Sequence, residues 1–177
     1  KAFRWRLKGL TNYDLKDIAI DIFFLPVNPN TAIQKVFVAI TPLSILQQQR
    51  LLLQSAYLDP ISITIADMTL KNCLPLLVQT PKVDPNDGPF IIISNANNGK
   101  TLDKLHLSYQ GLLYLIRELA SPSQEEEPID ISNILAEIQR SVDYCVNTLQ
   151  LPEPKYIIFT PWELLSKELV REIKKNL

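Results

Sequence analysis

Histidine is almost missing: His106 is the only one among 177 residues. Zinc proteases, histidine-rich metal centres and two-histidine iron sites all need more, so they are excluded. Glycine is nearly as scarce, four residues against 13 prolines. Glycine lets backbone approach a phosphate or cofactor closely, and proline stiffens connections. With only Gly9, Gly88, Gly99 and Gly111 available, a glycine-rich cofactor cradle has little to work with. The two cysteines, Cys73 and Cys145, lie too far apart in sequence for a zinc ribbon and are too few for a disulfide scaffold. The reading expects two thiols in a reducing compartment, cytoplasmic or otherwise intracellular. No apolar run approaches the ~20 residues of a spanning helix, so a water-soluble chain is expected. Charge of one sign is lacking too. The net charge is -1, from 18 basic and 19 acidic residues, which removes the global field of a body built to coat nucleic acid.

What is present suits a globular core. The apolar fraction is 46%, too high for disorder. The length predicts a single domain over 1–177. Since the first residue is Lys1, the reading expects a fragment or processed form of a longer chain.

Three uninterrupted apolar stretches, Phe37–Ile40, Phe90–Ile93 and Tyr156–Phe159, predict strands covered on both faces at the centre of a sheet. Phe3 to Lys8 alternates apolar with basic residues, and Ile18 to Phe24 alternates again. Together they predict an antiparallel hairpin with Arg4 and Arg6 opposite Asp17 and Asp21. Ile61 to Ile65 predicts a further strand and Leu74 to Val78 a short edge strand. Helices are expected from Thr41, Ser108, Asp130 and Thr160, the last with a Thr160/Glu163 capping box. Ser121 to Ile129, with three consecutive glutamates, predicts an exposed, mobile acidic loop. The fold class expected is therefore mixed, α+β or α/β, with five to seven strands in one sheet covered by about four helices. Phe37–Leu46 also lines up with Tyr156–Leu165 through a shared Thr-Pro. It reads more simply as one strand-cap-helix solution used twice than as a duplicated half.

Three sets of residues are candidates for function. Ser94 to Thr101 follows an apolar strand, and Gly99, Lys100 and Thr101 fit the end of a phosphate loop. Ser94 stands where the first glycine of such a loop belongs, so the candidate set is Asn98, Gly99, Lys100 and Thr101. An aspartate to hold magnesium would be Asp67, at the end of the Ile61 strand. Arg4, Arg6 and Lys8 interleave with aromatics as in single-strand binders, but alternation puts rings and cations on opposite faces. That weighs against nucleic acid as a partner. Ile131, Ile134, Leu135 and Ile138 form an apolar helical stripe that could dock a partner, although core packing explains the same spacing. His106, between Leu105 and Leu107, reads as a half-buried strand or helix residue rather than a catalytic one. No cofactor, metal or catalytic residue is predicted. The sequence favours a non-enzymatic interaction or scaffold domain of a larger assembly, with a protein partner and an option of self-association.

Overall fold

The computed structural model describes residues 6–26, 34–73, 76, 83, 84, 87–95, 102–119, 130–161 and 166–176. These fall into two compact units, Lys1–Ile65 and Ala66–Leu177.

The first unit is a ribbon and a helix. Strands β1 (Ile18–Phe24) and β2 (Val36–Pro42) pair antiparallel, from Ile18 opposite Pro42 to Phe24 opposite Val36. In the segment expected to pair with β1, the described residues do not do so: Arg6 is helical, Leu7 lies in a turn, and Lys8 makes an isolated bridge with Thr11. The expected hairpin is corrected accordingly. Leu7 is buried while Arg6 and Lys8 are exposed, so alternation there reported burial and not pairing. Helix α1 (Leu43–Ser55) follows directly. Pro42 occupies its cap, since Thr41 is still in β2 and makes no capping bond. Ile61 to Ile65 is not a strand, and Ile61 and Ile63 are exposed. β2 was expected inside a large sheet. It is half-buried along its length, in a sheet of two.

The second unit holds the main core. Helix α2 (Ala66–Asn72) precedes a four-stranded sheet of β3 (Phe90–Ser94), β4 (Lys104–Tyr109), β5 (Leu112–Glu118) and β6 (Tyr156–Thr160), in the order β5-β4-β3-β6. Neighbours pair antiparallel except β3 and β6, which run parallel. Residues Phe90 to Ile93 are 0% exposed, as a strand covered on both faces must be. Register sorts the two faces. Ile91, Ile93, Leu105, Leu107, Ile157 and Phe159 meet helix α3 (Ile131–Asp143) and α4 (Lys167–Asn176), which contribute Ile134, Ile138 and Leu169. On the other face Phe90 and Ile92 pack with Tyr156, Ile158, Val83 and Leu70 of α2. Phe90 and Tyr156 stack with centroids 5.2 Å apart.

Caps and turns follow local chemistry. Asp130 caps α3, accepting from the Asn133 amide at 3.1 Å, as expected. The helix continues as one π-helical turn, Tyr144–Thr148, that carries buried Cys145. α4 begins at Lys167, not Thr160: Thr160 ends β6 and Ser166 accepts from the Leu169 amide. The helix expected from Ser108 is instead the β4–β5 hairpin. Tyr109 pairs with Leu112 across Gln110 (φ 49°) and Gly111 (φ 71°). Two successive positive φ values make a type I′ turn, whose twist matches the strands. The finding also sets the strand count. The largest sheet has four strands, fewer than the five to seven expected, with a separate sheet of two and four α-helices among the described residues. Of the short strand expected at Leu74–Val78 only Leu76 is described, and it is helical and exposed; the acidic loop 121–129 lies outside the described residues.

The hairpin makes a prediction whose sign separates strand from helix. Gly111→Ala lowers unfolding stability by about 1 kcal/mol, because alanine resists positive φ. In a helix the same change would raise it by about as much. Urea denaturation of the two forms reads the sign.

Candidate functional site

The second face of the large sheet turns polar at one end. Ser94, Lys104, His106 and Thr160 follow in register from the apolar pairs beside them, because residues two apart on a strand share a face. Asp67, in the first turn of α2, joins them. They line a cavity of about 160 Å³ with Ala66, Leu70, Asn95 and Pro161. The cavity sits at the carboxyl ends of the parallel strands β3 and β6, where open α/β sheets commonly bind ligands.

At its centre is a three-membered ionic cluster. His106 Nε2 lies 2.7 Å from Asp67 Oδ1, and Lys104 Nζ lies 3.2 Å from the same oxygen and 3.4 Å from Oδ2. A carboxylate only accepts, so Nε2 carries the proton and donates. Burial pushes the Asp67 carboxyl up, but hydrogen bonds from His106 and Lys104 outweigh it and hold the group below its usual value. His106 is 2% exposed, and its Nδ1 is buried with no hydrogen-bond partner among the described residues. An unsatisfied buried polar atom costs about 1–3 kcal/mol.

This geometry limits the chemistry. An Asp–His pair orients a general base only when the second ring nitrogen meets a hydroxyl or thiol. Ser94 and Thr160 line the same cavity, yet neither bonds Nδ1, so among the described residues the pair meets no nucleophile. Lys104 is already matched by Asp67, which leaves the described lining without a spare cation for a phosphate. The cluster is a clamp holding the start of α2 against β4.

Some of the expected site residues fall among the described residues. Asn98, Gly99, Lys100 and Thr101 lie outside the described residues, as does Arg4. Asp67 ends no strand, which corrects the magnesium-aspartate reading. Ile134 and Ile138 are core residues at 3% and 0% exposure, with Ile131 packed against them and Leu135 half-buried, so core packing takes up three of the four positions of that stripe. His106 is in a strand but fully buried where half-burial was expected, and its partner was missed. The signal was Lys104 and His106 at i and i+2, one polar edge of an otherwise apolar strand. Asp14 accepts from the Lys16 amide at 2.9 Å, the turn-forming role of aspartate. Both cysteines are free. Among the described residues no group of three or more His, Cys, Asp or Glu could hold a metal, and no helix is long and apolar enough to cross a membrane.

The apolar surface missing from α3 is found in the first unit. Helix α1 has no buried residue. Leu43, Ile45, Leu51 and Leu52 are exposed on it, followed by Tyr57, Leu58, Ile61 and Ile63. Between the helix and residues 60–63 runs a groove of about 380 Å³ with Arg50 on its wall.

The clamp fixes a pH dependence. Asp67 has its pKa lowered on folding, so its stabilisation is complete above the unfolded value near 4 and is lost as pH falls through the lower folded value. Asp67→Ala therefore costs about 1–3 kcal/mol at pH 7, and the gap to the parent narrows between about pH 5 and pH 3. Urea unfolding at three pH values measures it.

The chain matches no known protein family and no curated protein. Among solved structures it resembles a chain of the "PilM-PilN type IV pilus biogenesis complex", with a TM-score of 0.59 and 16% sequence identity. The likeness covers 99% of this chain and 60% of that one, so this chain spans less than two thirds of its neighbour's length. At that identity the finding is a shared fold.

Proposed function

We propose that the chain is a non-enzymatic subunit of a protein assembly of the kind to which its structural neighbour belongs, a pilus biogenesis complex. The observation that carries this reading is the shared fold, which extends over 99% of the chain. The exposed apolar surface of α1 and residues 57–63 supports it. Single exposed leucines are ordinary on a soluble protein, but eight exposed large apolar residues within 21 positions are a density of the kind found at interaction surfaces. The clamp supports the reading from the other side, since its only base-like group is spent on holding a helix.

The docking surface proposed is thus α1, and not the stripe on α3. Leu51 and Leu52 are 66% and 62% exposed, so charge can be placed there without disturbing a core. A tagged chain purified from its own cells should retain pilus-assembly proteins identified by mass spectrometry. Leu51→Asp with Leu52→Asp should lower that retention at least tenfold while leaving circular dichroism unchanged. A monomer that retains nothing, or retention indifferent to both substitutions, would sink the proposal.

A further inference from the structure

We infer that residues 61–65 are a strap that closes as a third strand on the first unit's ribbon, parallel to β2 and joined to it through α1. The structure shows the strap open. Its closure involves the first unit's own chain alone and stands whether or not that unit docks a partner.

The receiving edge follows from register. The Leu25 amide donates to the Lys35 carbonyl and the Leu43 amide to the Asp17 carbonyl, and both pairs continue the register of β1 and β2. Backbone direction alternates along a strand, so Phe37, Ala39 and Thr41 face β1 while Val36, Val38 and Ile40 face away. No described residue bonds the backbone of those three. The ribbon's two edges are not alike. On the outer side of β1 the Ile22 amide is already taken, donating to the Asp21 carboxylate at 2.8 Å. A charged side chain there is one of the ways natural sheets blunt an edge. β2 has no such device, since Val36 to Thr41 carries no charge and no bulge.

The segment that fills this edge has the sequence of a strand without the pairing of one. Ile61, Ile63 and Ile65 alternate with Ser62 and Thr64, and isoleucine and threonine suit a pleated surface. Residues 61–65 are nevertheless in neither helix nor strand. No backbone hydrogen bond joins residues 60–64 to any described residue, and Ile61 and Ile63 are exposed. One unit thus holds a ladder edge with no strand and a strand sequence with no ladder.

The connection between them has the form a parallel pair requires. Parallel neighbours need a crossover of about a dozen residues or more, usually a helix. α1 has 13 residues and follows β2 without a loop. At its far end the Leu58 amide returns to the Leu53 carbonyl and the Tyr57 amide to the Gln54 carbonyl, with Tyr57 at φ 59°. That left-handed cap ends the helix and redirects the chain. Pro60, Ile61 and Ile63 then line one groove with Leu43 and Leu46, in the turns of α1 nearest β2. Closure draws these two apolar walls together. It also gives α1, which has no buried residue, the sheet face that a crossover helix normally covers. Ile61 and Ile63 leave the exposed surface in the same step, so the apolar area the unit presents depends on the strap.

The test is amide hydrogen exchange by NMR on the chain as a monomer, compared with a variant carrying Ser62→Pro and Ile63→Pro. Adjacent prolines remove one donor facing β2 whichever residues of the strap face it. The Val38 and Ile40 amides should exchange at least tenfold more slowly in the parent than in the variant. The parent should also show cross-strand contacts between residues 36–40 and 61–65 in parallel order. Both substituted positions are exposed in the open form. Should the variant still fail to fold, the parent's cross-strand contacts alone decide. Equally fast exchange in the two forms would overturn the inference. So would contacts in antiparallel order, or protection that comes only with dimerisation.

Discussion

Burial of β3 on both faces is the constraint on which the second unit depends. Phe90 to Ile93 have no exposed surface, and a strand of that kind needs a covering layer on each side. α3 and α4 supply one, built on Ile134, Ile138 and Leu169. α2 supplies the other, and it is only seven residues long. A helix that short has little apolar area to offer, and Leu70 is its contribution to the Phe90 and Ile92 cluster. Hence the importance of Asp67. Its bonds to His106 and Lys104 hold a small lid on a surface that would otherwise be wet.

The same reasoning explains the fully buried histidine. A leucine at 106 would bury more apolar area, yet it would leave the Asp67 carboxylate with Lys104 alone. Removing one partner of a buried ionic group costs more than the group's net contribution. The orphaned Nδ1 is the cost of this arrangement, and Asp67, held below its usual pKa, shows that the carboxylate side of the pair is well satisfied.

Strand identity was legible where composition alone decides it, as in Phe90–Ile93, Tyr156–Phe159 and Val36–Ile40. Position within a sheet was not legible. Phe37–Ile40 and Tyr156–Phe159 read as central, but the first is in a two-stranded ribbon and the second stands last in its sheet. An apolar strand records how well it is covered, and covering comes from helices or loops as readily as from neighbouring strands. Leu112 to Leu119 was read as helix because Leu112, Leu115, Ile116 and Leu119 also fit a period of 3.6. What decides for strand is the two-residue turn at Gln110-Gly111, which commits the chain to a hairpin before the pattern begins. At Thr160 the cap signal was real in composition, yet Thr160 was already committed to pairing beside Ser94. The Asp67 clamp was illegible for another reason: its members are 37 and 39 residues apart, and sequence spacing says nothing about contacts closed by tertiary structure.

The two thiols occupy different environments, and this has a practical side. Cys145 is buried in the π-helical turn with its sulfur against the Pro152 carbonyl at 3.3 Å, and burial pushes its pKa up to about 11. Reaction with maleimides and iodoacetamides runs through the thiolate, so at neutral pH Cys145 is doubly shielded, by access and by protonation. Cys73, only half-buried after α2, takes the reagent instead. The wild-type chain therefore carries its own single attachment point for a dye or spin label beside the clamped helix, without any cysteine being engineered in or out.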